Sequence, residues 1–139
     1  MRKIKVAITL DDKNGLMFNK RRQSRDKSVI ADLCHKTNGF IYISQYSALL
    51  FEDFQDRIQI VDDPLIECPD GACAFVEGRT LKDFLPEIDE LIVYNWNRLY
   101  PSDMKLDINI IDCGFKMNAK YEFAGNSHDK ITKGVYKKV

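Results

Sequence analysis

Short apolar segments alternate with segments of helical periodicity up to about residue 97, and this order constrains the fold most strongly. Apolar runs typical of buried strands lie at residues 3–10, 40–44, 57–61, 72–77 and 90–97. Helical spacing of apolar residues lies between them, at residues 25–36, 46–54 and 80–85. Strands that are connected through helices pair in parallel, so the pattern predicts an α/β fold with a mostly parallel sheet and helices on both faces.

The end of the chain follows a different pattern. Residues 115–123 and 131–138 alternate polar and apolar side chains, and only the turn at residues 125–129 separates them. Such a pair predicts a C-terminal antiparallel hairpin at an edge of the sheet. A chain of 139 residues is long enough for one hydrophobic core, so residues 1–139 are predicted to form a single domain.

The composition excludes several classes of protein. Lys plus Arg and Asp plus Glu both total 21, so the formal net charge is zero and no nucleic-acid partner is expected. No segment approaches the ~20 apolar residues of a membrane-spanning helix, and no secretory leader precedes the first strand, so a cytoplasmic location is expected. The cysteines lack zinc-ligand spacing, so free buried thiols are predicted rather than a disulfide or metal site: Cys34, Cys68, Cys73 and Cys113.

A basic and polar segment comes just before the first predicted helix, for which Ser24 is the candidate cap. Guanidinium groups next to the N–H groups of a helix start can bind a phosphate or carboxylate. The alternative is a solvated loop whose arginines pair with Asp26 or Asp32. The candidate ligand-binding residues of this segment are Asn19, Arg21, Arg22, Gln23 and Ser24.

Further polar and aromatic side chains follow the predicted strands at their carboxyl ends, where ligands bind in open α/β sheets. Glu77 is a candidate general base, with pairing to Arg79 or to a loop arginine as the alternative. Trp96 and Arg98 are expected on one strand face, where they can stack on a planar ligand, although Trp96 also suits a core position. Ser44, Tyr46 and Ser47 complete the candidate ligand-binding set, and either serine can instead cap a helix.

His128 lies in the predicted hairpin loop, between Ser127 and Asp129. Adjacent side chains diverge, so this run does not predict a catalytic triad. His128 is kept as a candidate catalytic residue, and a loop histidine that bonds the backbone is the alternative.

Three segments resemble the dihydrofolate reductase family, and the resemblance extends over nearly the whole chain. They are residues 7–15, which resemble its first strand and mobile loop, residues 80–93, with Phe84-Leu85-Pro86 before an apolar strand, and residues 126–128 in the closing turn. The resemblance implies that family's fold and a reductase that uses NADPH on a pterin-like or flavin-like substrate. It also implies that Asp26 is the carboxylate that orients and protonates the substrate.

The segments that contact the cofactor in that family differ in this chain. Ser44-Gln45 replaces a Gly-Arg pair, and Glu77-Gly78 replaces a pair of glycines. The second change puts a carboxylate where the cofactor phosphates would approach, and like charges repel. The sequence therefore leaves the cofactor unidentified.

A second resemblance, to short bacterial proteins labelled ribonuclease Z, is carried by residues 18–24, 96–103 and 127–133. Ribonuclease Z holds two zinc ions with an HxHxDH motif and further histidines, whereas this chain has only His35 and His128. The resemblance indicates a bacterial protein, and no metal site is predicted.

These features favour a protein, either a binding protein or an atypical enzyme, that holds a small anionic, nucleotide-like ligand in a reductase-like cleft. The NADPH-dependent reductase is the first alternative. A protein-interaction module with Trp96 and Tyr100 at its interface is the second, and a homo-oligomer is left open. The ligand hypothesis requires the basic segment to fold over the carboxyl edge of the sheet.

Overall fold

The computed structural model describes residues 2–139, which form a seven-stranded sheet, a small second sheet and four helical segments. The large sheet contains, in spatial order, Ile58–Ile60 (β5), Ile41–Ile43 (β4), Cys73–Phe75 (β6), Ile4–Leu10 (β1), Ile88–Asn95 (β7), Ile131–Lys138 (β10) and Phe115–Phe123 (β9). The helical segments are Lys27–Lys36 (α1), the 3₁₀ segment Gln45–Arg57 (η1), Pro64–Glu67 (α2) and the 3₁₀ segment Lys82–Glu87 (η2).

The pairing of the strands confirms the predicted topology. Strand β1 pairs in parallel with β6 and with β7, and β4 pairs in parallel with β5 and β6. Strand β10 pairs antiparallel with both β7 and β9. The sheet is therefore parallel from β5 to β7 and ends in the antiparallel hairpin that the sequence predicts.

A hydrophobic core lies on each face of the sheet, because successive side chains of a strand point to opposite faces. Val6 and Ile8 of β1 belong to the core that includes Leu65 of α2, whereas Ala7 between them belongs to the other. That second core also contains Phe51 of η1 and the predicted inner face of α1, which is Val29, Ile30, Leu33 and Cys34. Helical segments on both faces thus enclose the sheet.

The N-cap of helix α1 lies two residues later than predicted. Its N-cap is Asp26, whose side chain accepts a hydrogen bond from the Ser28 N–H, so the assignment of Ser24 as the cap is wrong. Aspartate competes well for this position because its carboxylate also favours the positive end of the helix dipole.

The basic segment forms structure that the sequence did not predict. Gly15–Phe18 (β2) and Arg21–Arg22 (β3) make a tight hairpin, and β2 also pairs with Met104–Lys105 (β8). Asn19 and Lys20 turn the hairpin with φ angles of 51° and 61°, both in the left-handed region. Such turns usually contain glycine, and β8 is distant in sequence, so the expected loop is a small sheet instead.

The connection predicted between residues 62 and 71 contains the short helix α2, which Asp63 caps and Pro64 begins. The four cysteine thiols are free, and three of them are buried. Within residues 2–139, no helix has the length and apolar character needed to cross a membrane.

Candidate functional site

The carboxyl ends of the parallel strands meet at one edge of the sheet, and the chain leaves each of them with polar or aromatic residues. Glu77 comes shortly after β6, Trp96 directly follows β7, and Ser44 directly follows β4. The segment after β1 supplies the hairpin β2–β3, whose Arg22 reaches the same edge. The basic segment therefore does lie at the carboxyl edge, as the ligand hypothesis requires.

Glu77 is held by internal partners. Its carboxylate accepts hydrogen bonds from Arg22 Nε at 2.8 Å, from Arg22 Nη2 at 3.0 Å and from Ser47 Oγ at 2.8 Å. Its side chain is only 6% exposed. Arg79 and a loop arginine were the two predicted partners of Glu77. The structure shows the loop arginine, and Arg79 pairs with Asp63 instead.

Arg22 and Tyr46 join the basic hairpin to η1. The Arg22 guanidinium lies 4.4 Å from the centre of the Tyr46 ring, and it donates to the Tyr46 carbonyl at 3.0 Å. The Arg22 backbone N–H donates to the Tyr46 hydroxyl at 2.9 Å. Both side chains are thus used in packing the hairpin against η1, as is Ser47 through Glu77.

Asp26 is fully buried, and both of its oxygens are occupied. Oδ1 accepts from the N–H groups of Ser28 and Asn126, at 2.9 and 2.8 Å, and Oδ2 accepts from the N–H of Ser127 at 2.8 Å and from His128 Nδ1 at 2.9 Å. Burial alone raises the pKa of Asp26, but the hydrogen bonds from Asn126, His128, Ser127 and Ser28 outweigh it and hold the pKa at about 2. Asp26 is therefore a carboxylate at neutral pH.

His128 joins Asp26 to two hydroxyl groups. Its Nε2 lies 3.0 Å from Ser24 Oγ and 2.9 Å from the Tyr100 hydroxyl. The imidazole stacks on Trp96, with ring centres 4.6 Å apart and planes inclined by 18°, and its side chain is 2% exposed. The predicted alternative, a histidine that bonds the backbone, is wrong, because both ring nitrogens face side chains.

The spaces beside these groups differ greatly in size. A deep space lined by Asp26, Glu77 and Trp96 has a volume of about 10 Å³, which holds about one water molecule. An outer cleft between α1 and η1 has a volume of about 710 Å³. Ser24 lines both, and the outer cleft is further lined by Arg22, Arg25, Asp26, Lys27, Ile30, Leu49, Leu50, Glu52, Asp53, Asn126 and Ser127.

Three other candidates line a separate groove of about 580 Å³, which Arg22 also lines. There the Asn19 N–H donates to Asp103, and Arg21 is exposed. Gln23 donates to Asp11 and to the Pro101 carbonyl, and its buried Oε1 has no hydrogen-bond partner among residues 2–139. The predicted ligand-binding residues of the basic segment are therefore divided between this groove and the outer cleft, and Arg22 lines both.

The expectation that Trp96 and Arg98 share a strand face is wrong. Strand β7 ends at Asn95, and Asn97 turns the chain with a φ of 57°. Arg98 is exposed and lines neither the deep space nor the outer cleft. Ser44 precedes η1 without a capping hydrogen bond from its side chain.

Tyr100 was expected only at a partner interface, and neither Arg25 nor Lys27 was among the candidate ligand-binding residues. Tyr100 reaches His128 only because the chain folds back after the Asn97 turn, and no local pattern indicates that contact. Arg25 and Lys27 flank the true N-cap, so a correct position for the start of α1 would have indicated them.

Comparison with known proteins identifies the fold. No protein-family model and no curated protein sequence matches this chain. Among solved structures, dihydrofolate reductase from Enterococcus faecalis, in a complex with NADP(H) and RAB-propyl, has a TM-score of 0.66 to this chain. The match covers 98% of this chain and 96% of that one at 9% sequence identity. The fold is thus dihydrofolate reductase-like, as the sequence resemblance predicted, and at this identity the likeness concerns the fold alone.

Proposed function

We propose that this chain binds a small amphipathic anion in the outer cleft between α1 and η1. The observation that carries the proposal is the pair Arg25 and Lys27, two exposed cations on one wall of that cleft. Within residues 2–139, neither forms an ion pair with a carboxylate, unlike Arg22. Their charges are therefore available to an anionic ligand.

The apolar part of the cleft supports an amphipathic rather than a purely ionic ligand. Leu49 is 61% exposed, and Leu50 and Ile30 lie beside it in the lining. Covering such a surface contributes about 25 cal/mol for each Å² removed from water. A ring or short hydrocarbon on the leucines, with its charged end at Arg25 and Lys27, uses both features of the cleft.

The opposite wall narrows the class of ligand. Glu52 and Asp53 are exposed carboxylates of η1 that line the same cleft. They repel a ligand with several negative charges and attract an N–H donor or a cation. The proposal is therefore a ligand with a single anionic group, which is narrower than the nucleotide-like ligand expected from the sequence.

The residues of this chain do not fit the phosphates of NADPH, so the reductase alternative is not favoured. Glu77, at the position of the replaced glycine, is a buried carboxylate. The N–H groups of Leu81 and Lys82 at the start of η2 already donate to Asp107, at 2.8 and 3.0 Å. Glu77 thus puts a negative charge where the resemblance implies that the phosphates approach, and the amides that follow it are already bonded to Asp107.

The substrate side of the reductase alternative is no better supported. The deep space of about 10 Å³ does not admit a pterin-like or flavin-like ring. Asp26 accepts hydrogen bonds from four residues and has a pKa of about 2, so at neutral pH it carries no proton to donate. These observations favour ligand binding over reduction in this scaffold.

The protein-interaction alternative is not favoured, because the residues proposed for its interface are not exposed: Trp96 is only 3% exposed and Tyr100 is half-buried. A cytoplasmic location, a bacterial source and a single domain over residues 1–139 remain part of the proposal.

Calorimetric titration with naphthoate, and with the uncharged naphthol as the matched ligand, tests the proposal. We expect naphthoate to bind and the double variant Arg25→Ala/Lys27→Ala to lose about tenfold in affinity, since each exposed charge contributes ~0.5–1 kcal/mol. The affinity should also fall as salt is added.

The control is Arg21→Ala/Lys20→Ala, which removes two exposed cations outside the outer cleft. It should leave the affinity unchanged. Equal affinity for naphthoate and naphthol, or equal losses in the two double variants, would overturn the proposal.

A further inference from the structure

We propose that Ser24, His128 and Asp26 form a nucleophilic relay that hydrolyses a carboxylic ester bound in the outer cleft. The proposal deepens the one above, since it takes the position of the substrate's anionic end from Arg25 and Lys27. The relay itself rests on a separate set of contacts.

The first observation is connectivity. Ser24 Oγ lies 3.0 Å from His128 Nε2, and His128 Nδ1 lies 2.9 Å from Asp26 Oδ2. A hydroxyl on one ring nitrogen and a carboxylate on the other is the arrangement in which a serine is activated by a base and the base is oriented by an acid. Triads are recognised by this geometry and not by their order in the sequence.

The second observation is that the imidazole is held in place. Trp96 stacks on one face of the ring, and backbone N–H groups of Asn126 and Ser127 hold the Asp26 carboxylate that faces Nδ1. Because that carboxylate only accepts, Nδ1 of the neutral ring carries the proton. Nε2 then presents its lone pair to the hydroxyl groups.

The third observation is access. The side chains of Asp26 and His128 are 0% and 2% exposed, whereas Ser24 is half-buried and lines the outer cleft. Ser24 is therefore the member of the relay that a ligand in the cleft reaches. Arg25 follows it directly, so an anionic end placed there brings the rest of the substrate beside Ser24 Oγ.

The chemical step balances with water as the co-reactant. Ser24 Oγ attacks the ester carbonyl carbon while His128 Nε2 takes the hydroxyl proton, and the same proton then leaves with the alcohol. Water attacks the acyl-serine with Nε2 as the base, which releases the carboxylic acid and restores Ser24. Asp26 stays ionised throughout and stabilises the imidazolium.

Tyr100 shares Nε2 with Ser24. Its hydroxyl is 2.9 Å from Nε2 and 3.4 Å from Ser24 Oγ, so it competes with the serine for the base in the resting state. Tyr100→Phe keeps the ring and removes the competitor. This variant should react at least as fast as the unaltered chain if Ser24 is the nucleophile.

A fluorophosphonate probe followed by peptide mass mapping tests the relay on the unaltered chain. We expect one adduct, on Ser24. Ser24→Ala should abolish the adduct and lower hydrolysis of naphthyl hemisuccinate by about 100-fold. Ser28→Ala is the control, because within residues 2–139 the Ser28 hydroxyl makes no hydrogen bond and only its backbone N–H contacts Asp26.

Two outcomes would overturn the relay. One is a folded chain that binds naphthoate but forms no adduct, which leaves the binding proposal intact. The other is an adduct on Tyr100 or another residue. Conversely, an adduct on Ser24 without naphthoate binding would support the relay and contradict the proposed binding of the anion. The failure of one proposal can therefore be told apart from the failure of the other.

Discussion

Asp26 is the residue on which the site depends. It caps α1 through Ser28 and holds the turn of the C-terminal hairpin through Asn126 and Ser127. A buried carboxylate is tolerable only when such donors replace its lost hydration. The same interactions that stabilise the fold therefore orient His128.

Asp26→Asn should lower the free energy of unfolding by about 3 kcal/mol at neutral pH, because the NH₂ group of an amide cannot accept the hydrogen bonds that one carboxylate oxygen accepts. Urea denaturation measures this, and Asp129→Asn, at an exposed position of the same loop, should change stability by less than ~0.5 kcal/mol. Similar losses in the two variants would contradict the account of Asp26.

The contribution of Asp26 to stability should depend on pH. The pKa of Asp26 is about 2 in the folded chain, below the ordinary value of 3.8, so its contribution to stability is present above that ordinary value. The contribution, about 2 kcal/mol, is lost as the pH falls toward the folded-state pKa. Asp26→Asn should flatten the acid limb of a plot of stability against pH by this amount, and an unchanged acid limb would contradict the shift.

Arg22→Ala should cost about 3 kcal/mol in urea denaturation, because it leaves the buried Glu77 carboxylate without its cation. Arg21→Ala, one residue away and exposed, is the matched control and should be near neutral. Arg22→Met/Glu77→Leu removes both charges and should recover most of the loss. A double variant no more stable than Arg22→Ala would contradict a charge-based explanation.

Some residue roles were predictable and others were not. The buried face of α1 follows from the helical spacing of its apolar residues. The ion pair of Glu77 with a loop arginine was one of two pairings predicted from opposite charges. The contact of His128 with Ser24 joins residues 104 positions apart. Adjacent Ser127 and Asp129 offered a local pattern there, and only tertiary structure shows that the true partners lie elsewhere.

At the scale of elements, the hairpin β2–β3 positions Arg22 over the sheet edge. Gly78 packs against its Met17, since a Cβ on Gly78 would lie 1.9 Å from Met17 Sδ, and Gly78 has a φ of 64°. The parallel strands were predictable from their apolar runs, whereas this hairpin depends on β8, which follows more than 80 residues later. Local sequence patterns do not predict elements that are stabilised mainly by partners distant in the sequence.

Gly78→Ala should therefore destabilise the chain by ~1–3 kcal/mol more than Gly71→Ala. Gly71 has a similar φ of 79°, but no atom lies within 4 Å of its Cβ position, so it reports the backbone strain alone. Adding Met17→Ala to Gly78→Ala should remove most of the difference between the two glycine variants. Thermal unfolding measures all three, and equal effects at the two glycines would contradict the packing of Gly78 on β2.

At the scale of the whole molecule, a dihydrofolate reductase-like fold persists at 9% identity to the enzyme from Enterococcus faecalis. The polar groups at the sheet edge mostly bond one another: Glu77 with Arg22, Asp26 with His128, and Asp107 with the start of η2. Arg25 and Lys27 are the cations left facing the outer cleft. We propose that this chain binds its ligand in the outer cleft and does not bind NADPH at residues 77–82.

Amide chemical-shift mapping by NMR tests that claim most directly, because one labelled sample reports on both regions. On addition of naphthoate we expect shifts at residues 24–30 and 49–53, and on addition of NADPH no saturable shifts at residues 77–82. Saturable NADPH shifts at residues 77–82, or naphthoate shifts confined to residues outside the outer cleft, would contradict it.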